Sequence, residues 1–219
     1  MSLILCIEAG TDIGSVALAK NGRLLSLREN LEGKHHAQNL AVYVEEILRE
    51  NDLDADELDA VAVGKGPGSY TGLRIAVNSL EALVQVALED FEAGILDLES
   101  LEDAKLLPMI DARRMEVYCQ LFDAQARPLS EVEAHVLTAE SFAAERAQGR
   151  LVLFGNGAAK SKTLFTEPGV HYVDVTPSAR GLVKPATEAL KIRKFENVAY
   201  FEPFYLKNFV ATSSSKKFF

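Results

Sequence analysis

Asp59-Ala60-Val61-Ala62-Val63, running into Gly64-Lys65-Gly66-Pro67-Gly68-Ser69-Tyr70-Thr71-Gly72-Leu73-Arg74, is the stretch on which the fold turns. The run of small and β-branched apolar residues reads as a short central strand. The glycines and Pro67 then fix a tight backbone path into a helix expected over residues 71–89. Ser69 and Thr71 can accept from the orphan amides at that helix start, and such a terminus can cradle an anion. The Gly-Lys-Ser/Thr order of the phosphate loop of nucleotide hydrolases is missing, so capping and ligand contact both stay open.

Upstream, Leu3-Ile4-Leu5-Cys6-Ile7 and Ser15-Val16-Ala17-Leu18-Ala19 are apolar runs of strand length. Asn21-Gly22, suited to the positive backbone angles of a tight hairpin, turns the chain into a third strand over 23–28. A helix is expected over 35–51, because Leu40, Val44, Ile47 and Leu48 recur at three- and four-residue steps. Downstream the pattern restarts, with strands expected over 106–110, 116–122, 132–136, 151–154 and 170–173 and helices over 139–147 and 178–195. Residues 199–205 read as extended and 211–219 as a tail. Strands alternating with helices mean an α/β protein with mixed sheets flanked by helices. Two β-rich starts predict two lobes, 1–104 and 105–219, packed on each other.

Composition narrows the function. The apolar share of 48% and charged share of 25% are those of an ordinary globular protein, and no apolar run is long enough to cross a membrane. Met1 to Ile7 carries no basic segment and reads as a strand, so no secretory signal and a cytoplasmic location are expected. The net charge of −9 disfavours nucleic-acid binding by the chain on its own, since phosphate neutralisation dominates such affinity. A place beside nucleic acid, through a partner, is compatible with it.

Few residues offer chemistry. His35 and His36 are adjacent, so on a helix they diverge and cannot jointly chelate, and His135 and His171 are isolated in sequence. Cys6 and Cys119 lie in apolar runs and read as buried thiols. Ser69 has no nominated base. Neither a metal, a cofactor nor a catalytic residue is expected. Asp111-Ala112-Arg113-Arg114-Met115-Glu116 is a charged turn, most simply an ion-paired corner. The helix expected over 71–89 carries Leu73, Ile75, Val77, Leu80, Leu83, Val84, Val86 and Leu88, apolar nearly all round. Its second side is covered either by the rest of this chain or by another.

Several motifs together resemble one family. Leu5-Cys6-Ile7-Glu8-Ala9-Gly10-Thr11, Gly33-Lys34-His35-His36-Ala37 and Gly66-Pro67-Gly68-Ser69-Tyr70-Thr71-Gly72-Leu73-Arg74-Ile75 look like the TsaB (YeaZ) family. So do Ile110-Asp111-Ala112-Arg113-Arg114-Met115-Glu116-Val117-Tyr118, Gly155-Asn156-Gly157-Ala158 and Glu202-Pro203-Phe204-Tyr205-Leu206. The resemblance runs in order along essentially the whole chain. It implies a two-lobed actin-like ATPase (ASKHA, ribonuclease H-like) fold, and a non-catalytic subunit for making threonylcarbamoyladenosine on adenosine 37 of tRNA. The implied partners are a TsaD-like catalytic subunit and a TsaE-like ATPase, with self-pairing when alone and tRNA met only indirectly.

The implied pairing uses two helices of the first lobe. That assigns His36, Leu40, Val44 and Ile47 on one, and Leu73, Arg74, Val77, Leu80 and Val84 on the other. The catalytic relative's His-x-x-x-His metal motif corresponds to Ser100-Leu101-Glu102-Asp103-Ala104 here, where neither end can ligate as imidazole does. The chain departs from the family at Ala76, at Leu80-Glu81-Ala82 and at Phe91-Glu92-Ala93-Gly94-Ile95, on or just past the second helix. The competing expectation is a nucleotide-binding or glycoprotease-like hydrolase acting alone. In it Glu8, where actin-like ATPases present a carboxylate to metal-bound phosphate, would work with the loop 66–72.

Overall fold

Apolar strands that must be covered on both faces organise the molecule. The computed structural model describes residues 1–11, 13–30, 36–66 and 75–195. β1 (Leu3–Glu8) is the middle of a five-stranded sheet, flanked by antiparallel β2 (Gly14–Lys20) and parallel β4 (Ala60–Lys65). β3 (Arg23–Asn30) forms one edge and β5 (Ile75–Asn78) the other, giving the order β3-β2-β1-β4-β5. Asn21 and Gly22 join β2 to β3 with φ of 53° and 76°, the left-handed pair that the hairpin requires.

α1 (His36–Glu50) lies on one face of this sheet. Its Ile47 is wholly buried with Leu3, Leu5, Val16 and Leu18, while Leu40, Tyr43 and Val44 pack at the margin. The helix ends where Asn51 turns its side chain back to donate to the Ile47 carbonyl at 2.7 Å and to Ser26 Oγ at 2.9 Å. Arg28 of β3 pairs with Glu46 and Glu50 across the helix edge.

The segment 71–89 differs from its sequence reading. Residues Ile75–Asn78 form a strand parallel to β4, with Ala62 opposite Ile75 and Lys65 opposite Asn78. The helix starts only afterwards, as α2 (Ser79–Glu92), capped by Asn78, whose side chain accepts from the Leu80 amide at 2.9 Å. Nine residues, 66–74, connect two parallel strands, fewer than the dozen or so that a helical crossover takes. Val77 is therefore a strand residue, 4% exposed, packed with Ile4, Cys6, Ala60 and Ala62.

The all-round apolar character of α2 also has a local cause. Ala82 faces the first sheet's core, whereas Leu80, Leu83, Val84, Val86 and Ala87 join Leu106, Ile110, Phe122, Val152 and Phe154 of the second lobe. The helix is covered on its second side by its own chain. The second sheet runs β11-β10-β6-β7-β9, from β6 (Lys105–Asp111), β7 (Glu116–Cys119), β9 (Glu133–Val136), β10 (Leu151–Phe154) and β11 (Val170–Tyr172). The short β8 (Phe122–Asp123) pairs beside β6, so the strand expected over 116–122 is broken in two. α3 (Ala143–Ala147) is shorter than the helix expected over 139–147, and it is entered through Phe142 at φ 54°.

The helix expected over 178–195 is a 3-10 turn, Ala179–Leu182, followed by α4 (Val183–Lys191). Both pack on the first sheet, against Ala17, Ala19 and Val77. The Ala179 amide donates to Ser15 Oγ at 2.6 Å. Gly181 lies so close to α2 that a Cβ there would meet the Ala82 carbonyl oxygen at 2.2 Å. β6 starts at Lys105, and residues 179–191 pack back on the first sheet.

Candidate functional site

Two places combine the residues singled out by sequence: the carboxylate at the end of β1 and the outer face of α1. Glu8 is fully buried. Its Oε1 accepts from the Gly10 amide at 2.7 Å, and Ser79 Oγ lies 3.1 and 3.0 Å from its two oxygens. Ser79 is the first residue of α2, so one carboxylate ties the β1–β2 turn to the start of the helix between the lobes. Gly64, in β4, presses against the same group, since a Cβ there would sit 2.0 Å from Oε2. Gly10 and Gly66 also meet closely, a Cβ on Gly66 falling 3.0 Å from the Gly10 Cα.

Burial pushes the Glu8 carboxyl above its ordinary range, and hydrogen bonds from Gly10, Ser79 and Ala9 only partly offset this. Its oxygens are engaged by donors of their own chain, the geometry of a structural tie. The sign of the pH effect follows. The folded state holds the proton more tightly than the unfolded chain, so this group's contribution is fullest below the ordinary value of 4.5 and is lost as pH rises through the folded value. Glu8→Gln is expected to flatten that part of the profile. In denaturant titrations from pH 4 upward, the variant should gain on the parent as pH rises. A parent whose advantage instead grew with pH would contradict the assignment.

A hydrogen-bonded set that sequence reasoning missed lies on β9. His135 Nε2 is 2.8 Å from Ser141 Oγ, and its Nδ1 is 3.2 Å from Glu133 Oε1. The signal was the two-residue spacing of Glu133 and His135, which puts both on one side of a strand. Nothing local announced Ser141. Ser141 is 7% exposed and also accepts from the Thr138 amide at 2.9 Å, while the carboxylate is half exposed. With the hydroxyl buried and the carboxylate outside, the set braces the turn before α3.

The charged corner is ion-paired through a residue not anticipated. Lys160 Nζ donates to Asp111 Oδ1 at 2.7 Å and to the Glu116 carbonyl at 2.9 Å. Burial raises the Asp111 carboxyl, but the Lys160 ammonium and the Arg113 amide outweigh it and hold it below its usual range. Both cysteines are buried, and burial pushes each thiol up to about 12. No group of three or more His, Cys, Asp or Glu is poised to hold a metal among the described residues.

The pairing residues scatter on inspection. Leu73 and Arg74 lie outside the described residues, as do Ser69 and Thr71 of the glycine loop and the tail 196–219. His36 opens α1, its side chain outside the described set. Leu40 and Val44 are half-buried, while Ile47, Leu80 and Val84 are wholly buried and Val77 nearly so. Those four side chains pack in the chain's own core. Among its described side chains, α1 presents outward Ala41, Val42 at 47% exposure, Glu45, Arg49 and Glu50.

Two mixed sheets with a helix packed between them define a two-lobed α/β fold. A family model described as TsaD, tRNA N6-adenosine threonylcarbamoyltransferase, matches residues 30–141. The tRNA threonylcarbamoyladenosine biosynthesis protein TsaB of Escherichia coli K12 is 30% identical over 225 residues, covering 95% of this chain and 96% of that one. The Bacillus subtilis TsaB is 28% identical over 159 residues, 69% of each chain. The solved structure of YeaZ from Pseudomonas aeruginosa superposes with a TM-score of 0.73 at 24% identity, covering 94% of this chain and all of that one. This chain belongs to the TsaB (YeaZ) family.

Proposed function

We propose that the chain is a non-catalytic subunit for threonylcarbamoyladenosine formation on tRNA, and that it acts by pairing with a TsaD-like catalytic subunit. The observation that carries this reading is the match to TsaB along nearly the whole length of both chains. The imidazoles of the catalytic relative's metal motif are replaced by Ser100 and Ala104, which agrees with it. A TsaE-like ATPase joins the same assembly, and the chain pairs with itself when alone.

The pairing surface is best placed on α1 alone. Leu80 and residues 82–87 of α2 are buried, largely against the chain's own core, which supports placing the seam on α1. Ala41 and Val42 form the apolar centre, with Leu40 and Val44 at its margin. Val42→Glu places a charge on that centre, where desolvation without a partner costs several kcal/mol. The expected result is a loss of pairing with the TsaD-like subunit of about 100-fold or more. Its own unfolding should shift by under ~0.5 kcal/mol, because Val42 is a surface residue. Light scattering after size exclusion, with the subunits mixed one to one, reads the outcome. Undiminished pairing would move the interface off α1.

A further inference from the structure

The corner between β6 and β7 has more charge than its internal pairing uses. Lys160 already answers Asp111, so the two arginines that follow are not needed to neutralise it. Arg113 and Arg114 are exposed, and neither side chain makes an ion pair among the described residues. Their backbones have φ of 71° and 50°, the left-handed region that residues with a Cβ occupy at a cost. Two successive residues in that region store strain that glycine at either position would relieve.

The corner is nevertheless held firmly. The Asp111 amide donates to Asn156 Oδ1 at 2.9 Å, the Arg113 amide donates to Asp111 Oδ1, and the Ala112 and Glu116 amides close the turn at 3.1 Å each. The Leu137 amide adds a bond to the Met115 carbonyl at 2.7 Å. Two of the family motifs, 110–118 and 155–158, are thus interlocked to brace a strained turn with two outward guanidinium groups. Glycine at both positions would carry less strain, so arginine here keeps two exposed guanidinium groups on a backbone that does not favour them.

We infer that Arg113 and Arg114 form an anion-recognition tip that takes the phosphate backbone of RNA when the chain is in its assembly. The inference rests on the proposed role beside tRNA and goes beyond it, since it gives this subunit its own contact with the nucleic acid. Guanidinium groups suit the task because their planar donors match phosphate oxygens. A net charge of −9 keeps the contact local, so it adds to a grip made mainly by the partner. An acidic protein surface is the other anion such a tip could meet, and the experiment separates the two.

The test assembles the chain with its TsaD-like subunit and titrates an unmodified tRNA transcript by fluorescence anisotropy over a range of salt. The parent is compared with R113E/R114E and with R113G/R114G. Both variants should lose on the order of tenfold or more in affinity at low salt, and the log–log salt slope should be shallower by about two, one per lost phosphate contact. The glycine pair relieves the left-handed strain, so its unfolding midpoint should equal or exceed the parent's while the RNA contact is still lost. Unchanged affinity and slope in both variants would overturn the inference. So would loss of subunit pairing with RNA affinity intact, which would assign the tip to protein. A parent chain that never pairs with the TsaD-like subunit fails the underlying reading, and light scattering detects that separately.

Discussion

Val77→Glu is expected to unfold the chain and not merely to unpair it. Val77 sits in β5 at 4% exposure, among Ile4, Cys6, Ala60, Ala62, Ala82 and Leu182, none of which can partner a carboxylate. Ionised, the group pays a desolvation cost of several kcal/mol; protonated, it still replaces a fitted side chain with a longer polar one. Against a total stability of about 5–15 kcal/mol for a domain, that removes most of the margin. Circular dichroism in a urea series should show an unfolding free energy lower by at least ~3 kcal/mol, or no folded baseline. The contrast with Val42→Glu is the informative part, because the same chemical change on α1 should leave folding intact. If Val77→Glu folded normally and only failed to pair, β5 would have to be an outer surface.

Gly64→Ala should be nearly as damaging, for a different reason. The added methyl would lie 2.0 Å from Glu8 Oε2 and 2.4 Å from its Cδ, far inside contact distance. Glu8 cannot step aside, since its oxygens are held by the Gly10 amide and Ser79 Oγ in a fully buried site. Overpacking of this kind costs about 1–3 kcal/mol or more, and displacing the carboxylate from its donors adds to it. A double-mutant cycle checks the cause. In a Glu8→Ala background the clash has no target, so Gly64→Ala should become at least ~1 kcal/mol less costly there. Additive effects would place the strain elsewhere.

The opening strands, the hairpin at Asn21-Gly22 and α1 were legible because each rests on local chemistry: apolar runs, a left-handed dipeptide and a 3.6-residue period. The segment 71–89 was not. Leu73, Val77, Leu80 and Val84 satisfy a helical template, yet Ile75 and Val77 also alternate as a strand, and short apolar runs cannot distinguish the two. Asn78 is what decides it, as a cap that stops the strand and starts the helix. The departures from the family pattern at Ala76 and at Leu80-Glu81-Ala82 fall on this boundary.

The buried carboxylate was legible as a position but not as a tie. Its partner Ser79 lies 71 residues away, and the Lys160 that answers Asp111 lies 49 residues away, distances that no local pattern spans. Whether the second side of α2 met a partner or its own chain was likewise undecidable from periodicity. Either cover demands the same apolar residues, and only the placement of Leu106, Phe122 and Phe154 settles it.

The return of Ala179–Lys191 to the first sheet has a consequence for synthesis on the ribosome. Ser15 receives its hydrogen bond from Ala179, 164 residues later, and Ala17 and Ala19 are covered by the same late segment. While the first hundred residues emerge, one face of the opening sheet has neither its 3-10 turn nor α4 and exposes those strands to water or to neighbouring nascent chains. The amino-terminal sheet therefore gains its last cover only once residues 179–191 have been made. The sheet made first is completed last, and a transcript cut short anywhere before codon ~190 yields a product with an open core and a short lifetime in the cell.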